Sequence, residues 1–381
     1  MRETPVRETL ARETLAAASA ALGEELTDPA RLAGSERSAV LRCRRPDGGT
    51  VVVKCYPPGG EGPASYTAEA AGLAFTADLE VGPQLLATDP AARLIVMSDL
   101  GDLPSLADLL LGDDGPLARA ALLGWTRACA GLAVRTAGRE AELDRLTAVH
   151  APPAGAAGQQ LSGWLERRIW QLPALLRELS LEPPPGLDQD LAALTLALRP
   201  GRLAVFSPGD ICPDNNLLTG DNLVTGHGVR FIDFESAEYH CVFLDAAYLR
   251  MPFSSCWCVF RLPGDLADEA ESVYRDTVGE VYPELADDAI WQPGLRAAAA
   301  AWTVHAMTYL LDKSVIADGL MMADGRAAPT ARQLLRYRWR RLHAELAAAG
   351  ELPAIASLAE GLLDATEHWQ VPDLPPYPAF R

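Results

Sequence analysis

One stretch, residues 203–235 (LAVFSPGDICPDNNLLTGDNLVTGHGVRFIDFE), restricts this chain more than any other. Its apolar run at 203–206 predicts a short strand stopped by Pro208 and Gly209. Asp210 follows at once, and Asn215 stands five residues further on. A second strand pattern at 216–219 turns through Gly-, Asp- and Asn-rich sequence into a third at 229–232, which delivers Asp233. Asp210, Asn215 and Asp233 are thereby carried to one rim. Taken singly, each is equally well explained as a turn former, because Asp and Asn bond their own backbone. As a set, D-x₄-N followed by an apolar strand ending I-D-F-E is not. Phosphoryl transfer uses such a set: one carboxylate for the acceptor hydroxyl's proton, an amide and a second carboxylate for Mg²⁺ against the phosphates.

The stretch resembles the catalytic core of the aminoglycoside phosphotransferase and choline kinase families, relatives of the protein kinases. Their H-G-D-x-x-x-x-N and I-D-F/W-[GE] motifs stand here as P-G-D-I-C-P-D-N and I-D-F-E. One position departs from the pattern: the histidine two before the catalytic Asp, a support of the loop and not its proton carrier, is Pro208. The resemblance implies an α+β, bilobal protein-kinase-like fold. A small β-rich N-terminal lobe (1–100) would precede a larger, mostly helical C-terminal lobe (101–381) with its catalytic loop at 207–216 and metal-binding motif at 231–235. It also implies ATP as phosphate donor, Mg²⁺ held by Asn215 and Asp233, and Asp210 as base. The residues do not separate ATP from GTP.

Composition sharpens one further position. Of 33 basic residues only Lys54 and Lys313 are lysines. Where charge alone is needed the sequence uses Arg, so a lysine at the end of the strand pattern 50–54 points to a need for a compact ammonium on a slim stem. The resemblance places here the lysine that contacts the α- and β-phosphates. Glu69, in a helix pattern at 66–79, is the candidate partner that aims Lys54; a helix-start glutamate favoured by the dipole is the alternative. Residues 32–53 read as a hairpin, with a strand at 39–44 and a turn at 46–49. The small residues Gly34, Ser35 and Ser38 precede it, and the resemblance implies a loop over the phosphates there, although G-x-G-x-x-G is absent. Short strands at 84–88 and 94–97 lead into Ser98-Asp99-Leu100-Gly101, which matches the linker between lobes. Backbone groups around Ser98 and Leu100 are implied to bond adenine.

A leading helix runs to residue 22. Beyond residue 101, periodicity predicts helices at 103–111, 116–135, 161–178, 188–198, 265–282, 291–311, 330–348 and 354–368. The segment 243–248 resembles a further family motif, with Asp245 as a bracing carboxylate.

Net charge is −18 with no basic stripe, which argues against nucleic acid or an anionic membrane as partner. A cationic small-molecule acceptor suits that field, as does a merely soluble acidic surface. Glu235 and Glu238, with Trp257, Trp302, Trp291 and Tyr309, are candidate acceptor contacts; core packing is the other reading of these aromatics. Seven scattered cysteines suit a reduced cytoplasm, and Cys256-x-Cys258 has too few sequence neighbours for a zinc site. No A-P-E segment follows Asp233, and neither G-x-S-x-G nor H-E-x-x-H occurs, so protein-kinase and serine or zinc hydrolase readings lack their motifs. The sequence therefore reads as a phosphotransferase acting on a small-molecule hydroxyl. The alternative is a nucleotide-binding pseudokinase that regulates a partner, favoured by Pro208 and opposed by the intact Lys, Asp, Asn and Asp set.

Overall fold

A computed structural model describes residues 5–32, 38–152, 161–220, 225–251, 253, 256–322 and 328–381. The chain opens with α1 (Pro5–Leu22), β1 (Thr27–Arg31), β2 (Ala39–Arg44), β3 (Thr50–Cys55), α2 (Gly62–Phe75), β4 (Leu85–Asp89) and β5 (Leu94–Ser98). The strands form one antiparallel sheet in the order β1-β2-β3-β5-β4. Alternation gives β3 two faces. Val51 and Val53 join Ala18, Leu41 and Val96 in a small core beneath α1, while Lys54 pairs with Ile95 on the opposite face. Ile95 belongs to the large core shared with α2 and the helical lobe, so the same alternation that buries the valines aims Lys54 at that lobe.

In this lobe two differences from the sequence reading have a plain physical cause. The helix expected to begin at 66 starts at Gly62, because Pro63 sits in its first turn, where a missing N–H breaks no helical bond. The strand β1 was not anticipated: it contains Pro29, is exposed along its length, and survives as an edge strand.

The second part comprises α3 (Leu106–Leu110), α4 (Gly115–Thr136), α5 (Glu140–His150), α6 (Leu161–Glu178), α7 (Leu187–Ala197), β6 (Ala204–Ser207), β7 (Asn216–Leu218), β8 (Val229–Phe231), β9 (Glu238–Cys241) and α8 (Val242–Arg250). It closes with α9 (Gly264–Val278), α10 (Asp288–Ile316), α11 (Ala331–Ala349) and α12 (Pro353–Ala365). The result is the α+β, two-lobed arrangement: a sheet with two helices, joined to a helical body. Within that body β6 pairs with β9, and β7 with β8, each antiparallel. The long helix α10 packs against α6, α8 and α11. Its run of buried alanines, Ala297–Ala301 in sequence, lets neighbouring helices approach closely. The helix α5 escaped the sequence reading because only Leu143 of its eleven residues is buried. Among the described residues no helix is long and apolar enough to cross a membrane.

Candidate active site

Lys54 closes the inner face of β3. Its Nζ lies 2.7 Å from Glu69 Oε2, 2.5 Å from Asp233 Oδ1 and 3.7 Å from Glu235 Oε2. Burial by itself would lower the Lys54 pKa, but the carboxylates of Asp233, Glu69 and Glu235 outweigh it and hold the ammonium charged. Burial pushes Glu69 up even against the pull of Lys54. Helix α2 reaches the site because Gly72 lies on the 234–237 segment: a Cβ there would stand 2.7 Å from Ala237 Cβ and 3.1 Å from Phe234 Cδ1. Tyr56, which the sequence reading missed, donates its hydroxyl to Glu69 and presents its ring 5.1 Å from Lys54 Nζ. Its signal was the two-residue period, which puts Tyr56 on the same face as Lys54.

Asp210 and the Asp233 turn are held together by backbone contact. Gly209 has φ +91°, and a Cβ on it would lie 2.3 Å from the Ser236 carbonyl oxygen, so the loop carrying Asp210 rests directly on the turn after β8. Asp233 has φ 68°, a left-handed conformation that Asp tolerates. The Ile232 N–H donates to the Asn215 carbonyl at 2.9 Å. The Asn215 Nδ2 donates to the Asp210 carbonyl at 3.1 Å, which leaves its Oδ1 as the outward acceptor. The next residue, Asn216, faces inward and bonds the carbonyls of Ile211, at 3.1 Å, and Cys212.

The loop without a histidine at 208 is braced from below. Ser207 Oγ accepts the Gly209 N–H and donates to Asp245 Oδ1, each at 3.2 Å. His240 Nε2 stands 2.9 Å from the same oxygen. Burial would lower the His240 pKa, and Asp245 reverses this, so it lies above the ordinary histidine value.

An amide oxygen on Asn215, a partly exposed carboxylate on Asp233 and the surplus negative charge around a single ammonium fit a hard divalent cation such as Mg²⁺. Of the other expected nucleotide contacts, Gly34 and Ser35 lie outside the described residues, and Ser38 is buried just before β2. At Ser98 one backbone group of the linker is already engaged. Its N–H donates to the Gln84 carbonyl at 2.9 Å, completing the sheet, so it is not available to a base. The Leu100 N–H has no partner among the described residues. Asp99 fixes the linker, accepting from Arg42 Nη2 at 3.1 Å and from Thr50 Oγ1 at 2.7 Å.

A cavity of about 700 Å³ opens beside Asp210 and Glu235 and extends between α6, α10 and α11. Trp257, Trp302 and Tyr309 line it as well. Glu238 does not: it is buried on β9, opposite Ser207 in the strand register. Trp291 is a core residue whose Nε1 donates to Glu271 Oε1 at 3.0 Å. At the mouth of the Asp210 loop, Trp257 Nε1 donates to Asp214 Oδ2 at 2.6 Å. The fold also brings Cys212 and Asp214 beside Cys256, their ligating atoms within 4.8 Å of one another, partners that sequence spacing had not revealed.

No protein-family model matches the sequence, and no curated protein is similar to it. Solved structures do match. A protein of Ralstonia eutropha, provisionally described as an aminoglycoside phosphotransferase, aligns with a TM-score of 0.51 at 15% identity, over 91% of this chain and 98% of its own. The choline kinase LicA from Streptococcus pneumoniae aligns with a TM-score of 0.48 at 14% identity, over 90% and 99%. An ethanolamine kinase from Plasmodium vivax gives 0.48 at 13% identity, over 84% and 82%. The chain thus has a bilobal protein-kinase-like fold.

Proposed function

We propose that this protein is a phosphotransferase that moves the γ-phosphate of ATP to a hydroxyl group of a small molecule. The observation that carries the reading is the convergence, from four separate chain segments, of Lys54, Glu69, Asn215 and Asp233 beside an Asp210 that lines a molecule-sized cavity. In this reading Lys54, aimed by Glu69, contacts the phosphates. Asn215 and Asp233 hold Mg²⁺, which supplies neutralising charge on the phosphate oxygens. The Leu100 N–H and the neighbouring linker backbone bond the base. Ser38, with Gly34 and Ser35, belongs to the loop over the phosphates. Asp210 accepts the proton of the acceptor hydroxyl, whose oxygen bonds the γ-phosphorus as the bond to the β-phosphate oxygen breaks and ADP departs. Because the transition state of such a transfer is loose, most of the rate comes from positioning and charge neutralisation.

Asp210→Asn tests this. A positioned base contributes roughly 10²–10⁴-fold, so the variant should keep Mg-ATP affinity and lose turnover by about that factor. Phosphate transfer to a panel of small alcohols, followed by mass spectrometry beside nucleotide-binding calorimetry, reads both quantities. A pseudokinase would bind Mg-ATP with no transfer in the parent, and a turn-forming Asp210 would lose stability with activity per folded molecule intact. Either result refutes the proposal.

A further inference from the structure

The far end of the cavity has the opposite charge to the rest of the molecule. Helix α10 turns one stripe toward it: Trp302, His305, Tyr309 and Lys313 recur at three- and four-residue spacing and all line it. Lys313 is one of only two lysines in the chain, and the other serves the phosphate end. Arg168 enters from α6 and Arg338 from α11. In a chain of net charge −18, cations normally meet carboxylates, yet Arg168 and Lys313 reach none among the described residues. Arg168 lies over the Trp164 ring, 5.7 Å from its centroid, and Lys313 over the Tyr309 ring at 5.0 Å. Arg338 is 1% exposed. Burial draws its pKa down to about 10, which leaves it charged at neutral pH.

Two buried polar atoms in the same wall lack any partner among the described residues: His305 Nδ1 and Ser314 Oγ, on side chains 6% and 1% exposed. Groups so buried are rarely left unpaired without a ligand or water to meet them. Burial, then Arg338 and Arg168, push the His305 pKa down to about 3, so its imidazole is neutral and adds no charge. The carboxylates that line the cavity stand elsewhere. Asp210 and Glu235 belong to the catalytic end, Glu235 already facing Lys54, and Glu61 is exposed at the start of α2.

We propose, resting on the phosphotransferase reading, that the acceptor is an anion: an alcohol whose carboxylate or phosphate group is held by Arg168, Lys313 and Arg338 while its apolar body lies among the rings of α6 and α10. This reverses the cationic acceptor that net charge suggested. Planar guanidinium groups grip such oxyanions through paired N–H donors, and His305 and Ser314 supply neutral polar contacts beside them.

The test is equilibrium binding without nucleotide at fixed ionic strength, by calorimetry. The probes share one phenyl body: 3-phenyllactate, its methyl ester, the ammonium counterpart phenylalaninol, and phenyl phosphate. An anion should bind at least about tenfold more tightly than ester or ammonium, and whichever oxyanion is tighter identifies the group. Arg168→Gln and Lys313→Gln, changed at positions with solvent access so that folding is preserved, should each weaken the anion by roughly tenfold, the ordinary worth of a charged hydrogen bond, and leave the ester unchanged. Arg338→Gln should weaken it further. Equal or tighter binding of the ester or of phenylalaninol, absence of anion binding, or anion affinity unchanged in the variants overturns the proposal. Mg-ATP binding measured in parallel keeps the two readings apart. Its loss removes the phosphotransferase assignment and not the anion site; a missing anion preference with Mg-ATP binding intact removes only the latter.

Discussion

Replacing Lys54 with Met removes one charge and strands three. The ammonium is 8% exposed and faces Glu69 at 2% exposure, Asp233 at 24% and Glu235 at 3%. Taking one partner from a buried ion pair typically destabilises by about 3–5 kcal/mol, because the remaining charge keeps its desolvation penalty and loses its compensation. For a chain of this length about 2 °C accompanies each kcal/mol, so the melting temperature of Lys54→Met should fall by roughly 6–10 °C at pH 8. The loss should shrink at lower pH. Glu69, already pushed up by burial, loses the ammonium that opposed it, so its folded pKa rises further above the unfolded one. A raised folded pKa means that protonation favours the folded state, and stability returns as pH falls through it. Glu69→Gln in the Lys54→Met background should recover part of the loss at pH 8, although the same change alone destabilises the parent. The non-additive part should fall within about 0.5–3 kcal/mol. Thermal and urea melts of the four proteins at pH 8 and pH 5.5 measure all of this. Strict additivity, or a Lys54→Met protein that melts like the parent at both pH values, would refute the electrostatic reasoning.

Gly209→Ala should abolish transfer and lower the melting temperature, since the added methyl meets the Ser236 backbone and φ +91° is strained for alanine; parent-like activity would mean that the loop does not rest on that turn. His240 has a folded pKa above its unfolded value, so the stability it contributes is fully present below the unfolded pKa, about 6.5, and is lost as pH rises through the folded one. Melts between pH 6 and 8.5 should therefore show a downward slope that His240→Gln flattens, and an unchanged slope would count against the His240–Asp245 pair.

What the sequence disclosed follows its local periodicities. The alternation of 39–44 and 50–54 about a Pro-Asp-Gly-Gly turn placed β2 to the residue, and β3 within one of its end, because both faces of that hairpin are specified. The edge strand β1 and the short β9 had no such pattern: one is exposed throughout, and the other has only four residues. Lys54, Glu69 and Asp233 were found as types in a motif, and the fold brings them into contact. The cations of the acceptor cavity were invisible for a different reason. Arg168, Lys313 and Arg338 come from three helices and share no spacing, and the total charge of the chain says nothing about the sign of one pocket. The backbone use of Ser98 was equally hidden, since it depends on where β4 begins.

The two-faced packing of β3 also bears on how this chain tolerates change. The turn between β2 and β3 is closed by bonds between Arg45 and Gly49 and between Gly48 and Arg45, and its tip is exposed. Substitutions there should be absorbed easily, except at Gly48, whose φ of +87° favours glycine. A single inserted or deleted residue is another matter. It would shift β3 by one position, turn Lys54 into the apolar space beneath α1, and present Val53 or Cys55 to the catalytic lobe. Deep mutational libraries should therefore show a contrast at this loop, with substitutions outside Gly48 tolerated and frame-preserving codon insertions rejected.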